Sequence, residues 1–93
     1  MEFSGKKVTV VGTGISGIGA VGLLNAVGAE VVLYDGNEKL KIEDIEKKLG
    51  TYKAEIVLGE LTKELTDSSD LLVISPGVPI DSPVVKAFEA AGV

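Results

Sequence analysis

The sequence predicts a Rossmann-like α/β domain of three layers, with a parallel sheet of four to five strands and helices on both faces. Three observations predict it. Four short apolar runs alternate with segments of helical spacing, the order that a parallel sheet with crossover helices requires. A glycine-rich turn, Gly12-Thr13-Gly14-Ile15-Ser16-Gly17, follows the first run directly and opens the first helix. An acidic residue, Asp35, closes the second run eighteen positions beyond Gly17.

Each element follows from local chemistry. Lys7 to Val11 is β-branched and bounded by Gly12, which predicts a strand buried on both faces. A helix is expected from about Ile15 to Val27, closed by Gly28. Val31 to Tyr34 forms the second strand, and Gly36-Asn37 the turn after Asp35. Leu40, Ile42, Ile45 and Leu49 recur among charges, which predicts an amphipathic helix ending at Gly50. Glu55 to Leu58 is a short third strand, followed by one helical turn over Leu61 to Leu65. Leu71 to Ile74 is the fourth strand. Ser82 is expected to cap a last helix with Pro83 at its first position, ending at Ala91 and Gly92. Gly92-Val93 has the form of a helix end and the start of a fifth strand. The chain is therefore expected to be cut from a longer protein.

Bulk composition narrows the function. Ninety-three residues suit one domain with a modest core, and 45% apolar content with 25% charge is that of a folded chain rather than a disordered one. Without cysteine or histidine, disulfides, thiolate or imidazole metal sites and Ser-His-Asp relays are excluded. A net charge of −5 argues against a nucleic-acid partner, whose affinity depends on a basic face. The lysines and glutamates between Glu38 and Lys48 read as a solvated helix face. Met1 to Lys7 lacks the apolar stretch of a signal peptide, so the cytoplasm is the expected location. Val8 to Ala29 carries no charge and is long enough to span a bilayer. Its six glycines suit a strand, a turn and a core helix better, and no membrane partner is expected.

The chemistry gathers at two turns. In the first, Gly12 permits a tight bend, Gly14 admits a phosphate to the backbone, and Gly17 lets the helix sit close to the strand. Free N–H groups and the helix dipole at Ile15 and Ser16 favour an anion there. Asp35 can accept hydrogen bonds from a nucleoside, either ribose hydroxyls or a base N–H; alone, it could equally be a turn former. The second turn is Ser75-Pro76-Gly77-Val78-Pro79, whose prolines fix a backbone that Gly77 leaves open on one face. A rigid loop without further role fits it too. In the first helix Gly19, Gly22 and Ala26 lie opposite the apolar face, which suggests either a docking face for another domain or a weak helix. Ser4, Ser68, Ser69 and Ser82 lack a base partner, so no catalytic residue is expected. Asp67 and Asp70 do not make a metal site. These residues leave open a holder of a nucleoside diphosphate, a dinucleotide module of a dehydrogenase, and a regulatory nucleotide sensor.

Three strings carry a family resemblance: Gly5 to Gly17, Val32-Leu33-Tyr34-Asp35, and Asp70 to Pro79. Together they resemble the amino-terminal domain of the Mur ligase family, in its MurD branch, and the similarity covers essentially all 93 residues. The branch that adds L-alanine also opens with a glycine-rich turn, but its helix start and post-strand loop differ. The resemblance implies a three-domain, ATP-dependent amide ligase of peptidoglycan synthesis, in which residues 1–93 grip the UDP of UDP-N-acetylmuramoyl-L-alanine. It implies that Gly14, Ile15, Ser16 and Gly17 meet the diphosphate and that Asp35 meets the uracil. Gly36 and Asn37 would line that pocket, and Ser75, Pro76, Gly77 and Val78 would close it. Relatives often carry a hydroxyl residue after the aspartate, where this chain has Gly36. ATP and magnesium belong to a central domain of the family, and no G-x-x-x-x-G-K-[ST] string occurs here. The D-glutamate site belongs to a carboxyl-terminal domain. The resemblance thus implies a piece that binds without turning over, with the missing domains as its partners.

Overall fold

Eight elements alternate strictly: β1 (Lys7–Val11), α1 (Ile15–Ala26), β2 (Glu30–Asp35), α2 (Ile42–Leu49), β3 (Glu55–Leu58), α3 (Lys63–Ser68), β4 (Leu71–Ile74) and α4 (Pro83–Ala90). They come from a computed structural model that describes residues 5–74 and 82–92, except the side chain of Ile15. The four strands form one parallel sheet in the order β3-β2-β1-β4. The three-layer α/β expectation holds.

Alternation along the strands builds two cores. Val8 and Val10 of β1 and Val31 and Leu33 of β2 face α1 and α2, meeting Val21, Leu24, Ile45 and Leu49. Val11, Val32 and Tyr34 face the other way, against Leu65 and the fully buried Phe88. Because β1 and β2 are covered on both faces, their sequences are continuous apolar runs rather than alternating ones. Thr9 is the polar exception. Its hydroxyl lies 2.6 Å from that of Ser69, which in turn donates to the Leu65 carbonyl at 2.7 Å, so the buried oxygens are satisfied.

The helix ends differ in detail from expectation. α1 stops at Ala26, and Val27, expected as the last helical residue, is the C-cap and 48% exposed. Gly28 supplies a φ of +80°, its N–H reaches the Asn25 carbonyl, and the Ala29 N–H reaches that of Leu24. This paired return is a Schellman closure, which turns the chain away one residue earlier than apolar spacing suggests. α2 begins at Ile42, and Leu40 reaches the core from the preceding turn while Ile42 stays exposed. Acidic Glu43 and Asp44 at its start and Lys47 and Lys48 at its end complement the dipole. α3 is later and longer than the expected Leu61–Leu65 turn, because Thr62 caps it by accepting from the Leu65 N–H at 3.3 Å. Ser82 occupies the N-cap position of α4 with Pro83 behind it, but its hydroxyl makes no capping bond. That oxygen is buried without a partner among the described residues.

The outer face of α1 also needs correction. Gly22 is covered by the chain itself, since a Cβ there would stand 2.6 Å from Cζ of Tyr52. The missing side chain therefore makes room for the Tyr52 ring, not for another domain. Gly19 has open space above it. Among the described residues no helix is long and apolar enough to cross a membrane.

Candidate nucleotide site

Strand register assembles the site. Val11, the last residue of β1, pairs with Tyr34 on one side and Ile74 on the other. Strands β1, β2 and β4 therefore end side by side along one edge, at Val11, Asp35 and Ile74. α1 and α2 cover one face, and α3 and α4 the other. β1 stands where the strand order reverses, the place where open α/β sheets leave a crevice beyond their carboxyl ends.

The turn after β1 is built to keep that crevice open. Gly12 takes φ +108°, a region that side chains strain, and its N–H bonds the Tyr34 carbonyl at 2.8 Å. Gly14 is the N-cap of α1 in an extended conformation, φ −72° and ψ −177°, so its backbone angles do not demand glycine. Contacts within the described chain do not demand it either, since a Cβ on Gly14 would meet nothing within 4 Å; the backbone lies open there. The first helical hydrogen bond runs from the Ile18 N–H to the Gly14 carbonyl. The N–H groups of Ile15, Ser16 and Gly17 precede it and point away from the helix. Among the described residues no side chain caps them and no acidic residue sits in the first turn, which leaves the positive end of the dipole open to an anion. Ser16 is exposed, and Gly17 is buried against the sheet.

Asp35 closes the other side. Its Oδ2 accepts from the Thr13 N–H at 3.2 Å and from the Thr13 hydroxyl at 3.0 Å. Its Oδ1 accepts from the Asn37 N–H at 3.0 Å, and Asn37 Oδ1 from the Lys39 N–H at 3.1 Å. The carboxylate is thus a turn former and also reaches the glycine turn. Gly36 and Asn37 are exposed beside it. Tyr34 supports this end from below, donating its hydroxyl to the Gly59 carbonyl. Burial, then the negative charges of Asp35 and Glu60, push the Tyr34 phenol above its ordinary value.

The structure therefore brings Gly14, Ile15, Ser16, Gly17, Asp35, Gly36 and Asn37 to one edge. Ser75, Pro76, Gly77 and Val78 lie outside the described residues. Thr13 is the residue at this edge that motif reading passes over. It occupies the free position between two glycines, and only the pairing of Val11 with Tyr34 puts it beside Asp35. Two of the groups set aside in the sequence lie at the opposite edge of the sheet. Ser68 accepts from Lys7 Nζ at 2.7 Å, and Asp70 from the Lys7 N–H at 2.9 Å, where the strands begin. Among the described residues no cluster of carboxylates could hold a metal ion. A shallow concavity of about 520 Å³ lined by Asn25, Glu30, Lys53 and Glu55 also lies at that opposite edge. It holds no helix N-terminus, and the amide of Asn25 is already bonded twice to the Lys53 backbone.

Comparison with known proteins finds a family match. Residues 6–93 match the family described as Mur ligase MurD-like, N-terminal domain. The UDP-N-acetylmuramoylalanine--D-glutamate ligase of Lachnospira eligens is 60% identical over 93 residues, covering all of this chain and 21% of that protein. Its namesake in Lachnoclostridium phytofermentans is 51% identical over 92 residues, covering 98% of this chain and 20% of the relative. In Thermoanaerobacter sp. the identity is 40% over 89 residues, with 96% of this chain and 20% of the relative covered. The chain spans about a fifth of the length of the curated relatives it matches.

Proposed function

Because the chain belongs to the Mur ligase family as a MurD-like N-terminal domain, we propose that it is the UDP-holding part of a cytoplasmic, ATP-dependent ligase. That ligase would add D-glutamate to UDP-N-acetylmuramoyl-L-alanine in peptidoglycan synthesis. The observation that carries the reading is the uncapped head of α1 with Asp35 across the turn.

The roles follow from the chemistry of each group. The N–H groups at Ile15, Ser16 and Gly17 would hold the diphosphate, where fixed dipoles stabilise negative charge without a mobile side chain. Ser16 would add its hydroxyl. Asp35 would accept a hydrogen bond from the uracil, Gly36 and Asn37 would line that end, and Ser75, Pro76, Gly77 and Val78 would close it. ATP and magnesium would supply carboxylate activation in another domain of the parent protein. The described residues here include no carboxylate cluster that fits such a metal. Holding one end of the substrate fixes the position of the other, which lowers the entropy cost of the reaction elsewhere. The domain alone would bind without catalysing, and weakly, because the sugar and alanine ends would find no partner.

Calorimetry on the 93-residue chain with UDP, inorganic diphosphate and NAD tests this. UDP is expected to bind tightest, diphosphate more weakly, and NAD least. Asp35→Ala should bring UDP down to the affinity of diphosphate. Binding of NAD without UDP would transfer the domain to the dehydrogenases, and equal binding of UDP and diphosphate would show that Asp35 reads no base.

A further inference from the structure

We propose that Thr13 is a positioning residue that closes one oxygen of Asp35 and so restricts that carboxylate to a single hydrogen bond with a nucleotide. The inference rests on the reading of the glycine turn and Asp35 as one nucleotide site. A carboxylate offers about four lone-pair positions, two on each oxygen. Oδ2 of Asp35 takes both the backbone N–H and the hydroxyl of Thr13, at 3.2 and 3.0 Å. Both of its positions are filled by one residue. Oδ1 takes the Asn37 N–H at 3.0 Å, and among the described residues its second position is the one left for a ligand.

The clamp is built to persist. Thr13 is only 7% exposed, so water competes poorly for its hydroxyl. Its branched Cβ limits rotation about χ1. It also lies between Gly12 and Gly14, which ties the head of α1 directly to Asp35. The span from the anion-holding amides to the acceptor is thereby set by one side chain.

Specificity follows from counting acceptors. A dinucleotide-binding acid reads the vicinal diol of a ribose, most simply with one hydroxyl on each carboxylate oxygen. Thr13 denies that arrangement. One open position on Oδ1 suits a single donor such as the imide N–H of a pyrimidine. The hydroxyl of Thr13 therefore separates this turn from a diol-reading turn of the same backbone pattern.

The test uses the 93-residue chain with three probes: UDP, inorganic diphosphate and ADP-ribose, a diol-bearing nucleotide without uracil. Thr13→Val keeps the branched shape and the N–H and removes only the hydroxyl. It should weaken UDP about tenfold, of the order lost with one hydrogen bond to a charged group, and leave diphosphate within about twofold. ADP-ribose should gain relative to UDP. Thr13→Ser should restore the original order. A merely structural Thr13 would weaken UDP and diphosphate together, and that result, or failure of serine to rescue, would overturn the proposal. Should the valine variant not fold, Thr13→Ala read against Thr13→Ser decides by the same ratio. Absence of UDP binding by the unsubstituted chain overturns the functional reading and this one with it. Binding with an unchanged ratio in the variants overturns this one alone.

Discussion

At the scale of single residues, hydrogen-bond capacity and space decide the outcomes. Gly36 is exposed, and a Cβ there would approach nothing closer than the Tyr34 hydroxyl at 3.8 Å. Gly36→Thr should therefore fold normally. If the uracil lies beside Asp35, the new hydroxyl should tighten UDP by a few fold, about 1 kcal/mol, the net worth of one neutral hydrogen bond. Calorimetry with UDP and diphosphate separates that gain from a general effect. Tyr34 makes a second prediction. Its folded pKa is raised by burial and by Asp35 and Glu60, so the folded state resists losing a proton that the unfolded chain gives up near pH 10. Stability is present below that pH and falls as pH rises through the raised value. Tyr34→Phe should lose stability at neutral pH, about 1 kcal/mol for the bond to Gly59, and show a shallower alkaline decline in urea titrations.

At the scale of elements, the limits of sequence reading are physical. All four strands are visible as apolar runs bounded by glycine or polar residues, most clearly β1 and β2, which are buried on both faces. The glycine turn and Asp35 are visible because the pattern constrains residue type at each position. Thr13 was not, since its partner lies 22 positions away and only strand register brings them together. The Thr62 cap was hidden as well, being one hydroxyl among several polar neighbours. Gly22 misled for a related reason: helix spacing finds an apolar stripe, but cannot show that Tyr52 comes back across the outer face of α1. This yields a separable prediction. Gly19→Ala, with open space around it, should stabilise α1 by up to ~1 kcal/mol, the propensity difference in a helix interior. Gly22→Ala gains the same propensity but forces the Tyr52 ring aside, so it should stabilise less or destabilise. Tyr52→Ala should remove the difference. Thermal unfolding of Gly19→Ala and Gly22→Ala, each with and without Tyr52→Ala, checks this, because in a domain this small about 1 kcal/mol moves Tm by roughly 4–8 °C.

At the scale of the whole molecule, the parts share one arrangement. Two cores on opposite faces of a four-stranded sheet hold the carboxyl ends of β1, β2 and β4 in line. The line presents an uncapped helix head beside an acid that is held, not free. In a chain with net charge −5, that helix head offers N–H dipoles to an anion with no basic side chain in its first turn. The most direct test is an amide NMR titration of the 93-residue chain with UDP. The account predicts the largest shifts at Gly14, Ile15, Ser16 and Gly17, a second set at Asp35 to Asn37, and little change at Asn25 or Lys53. Shifts centred on Asn25 and Lys53, with the head of α1 unmoved, would contradict it.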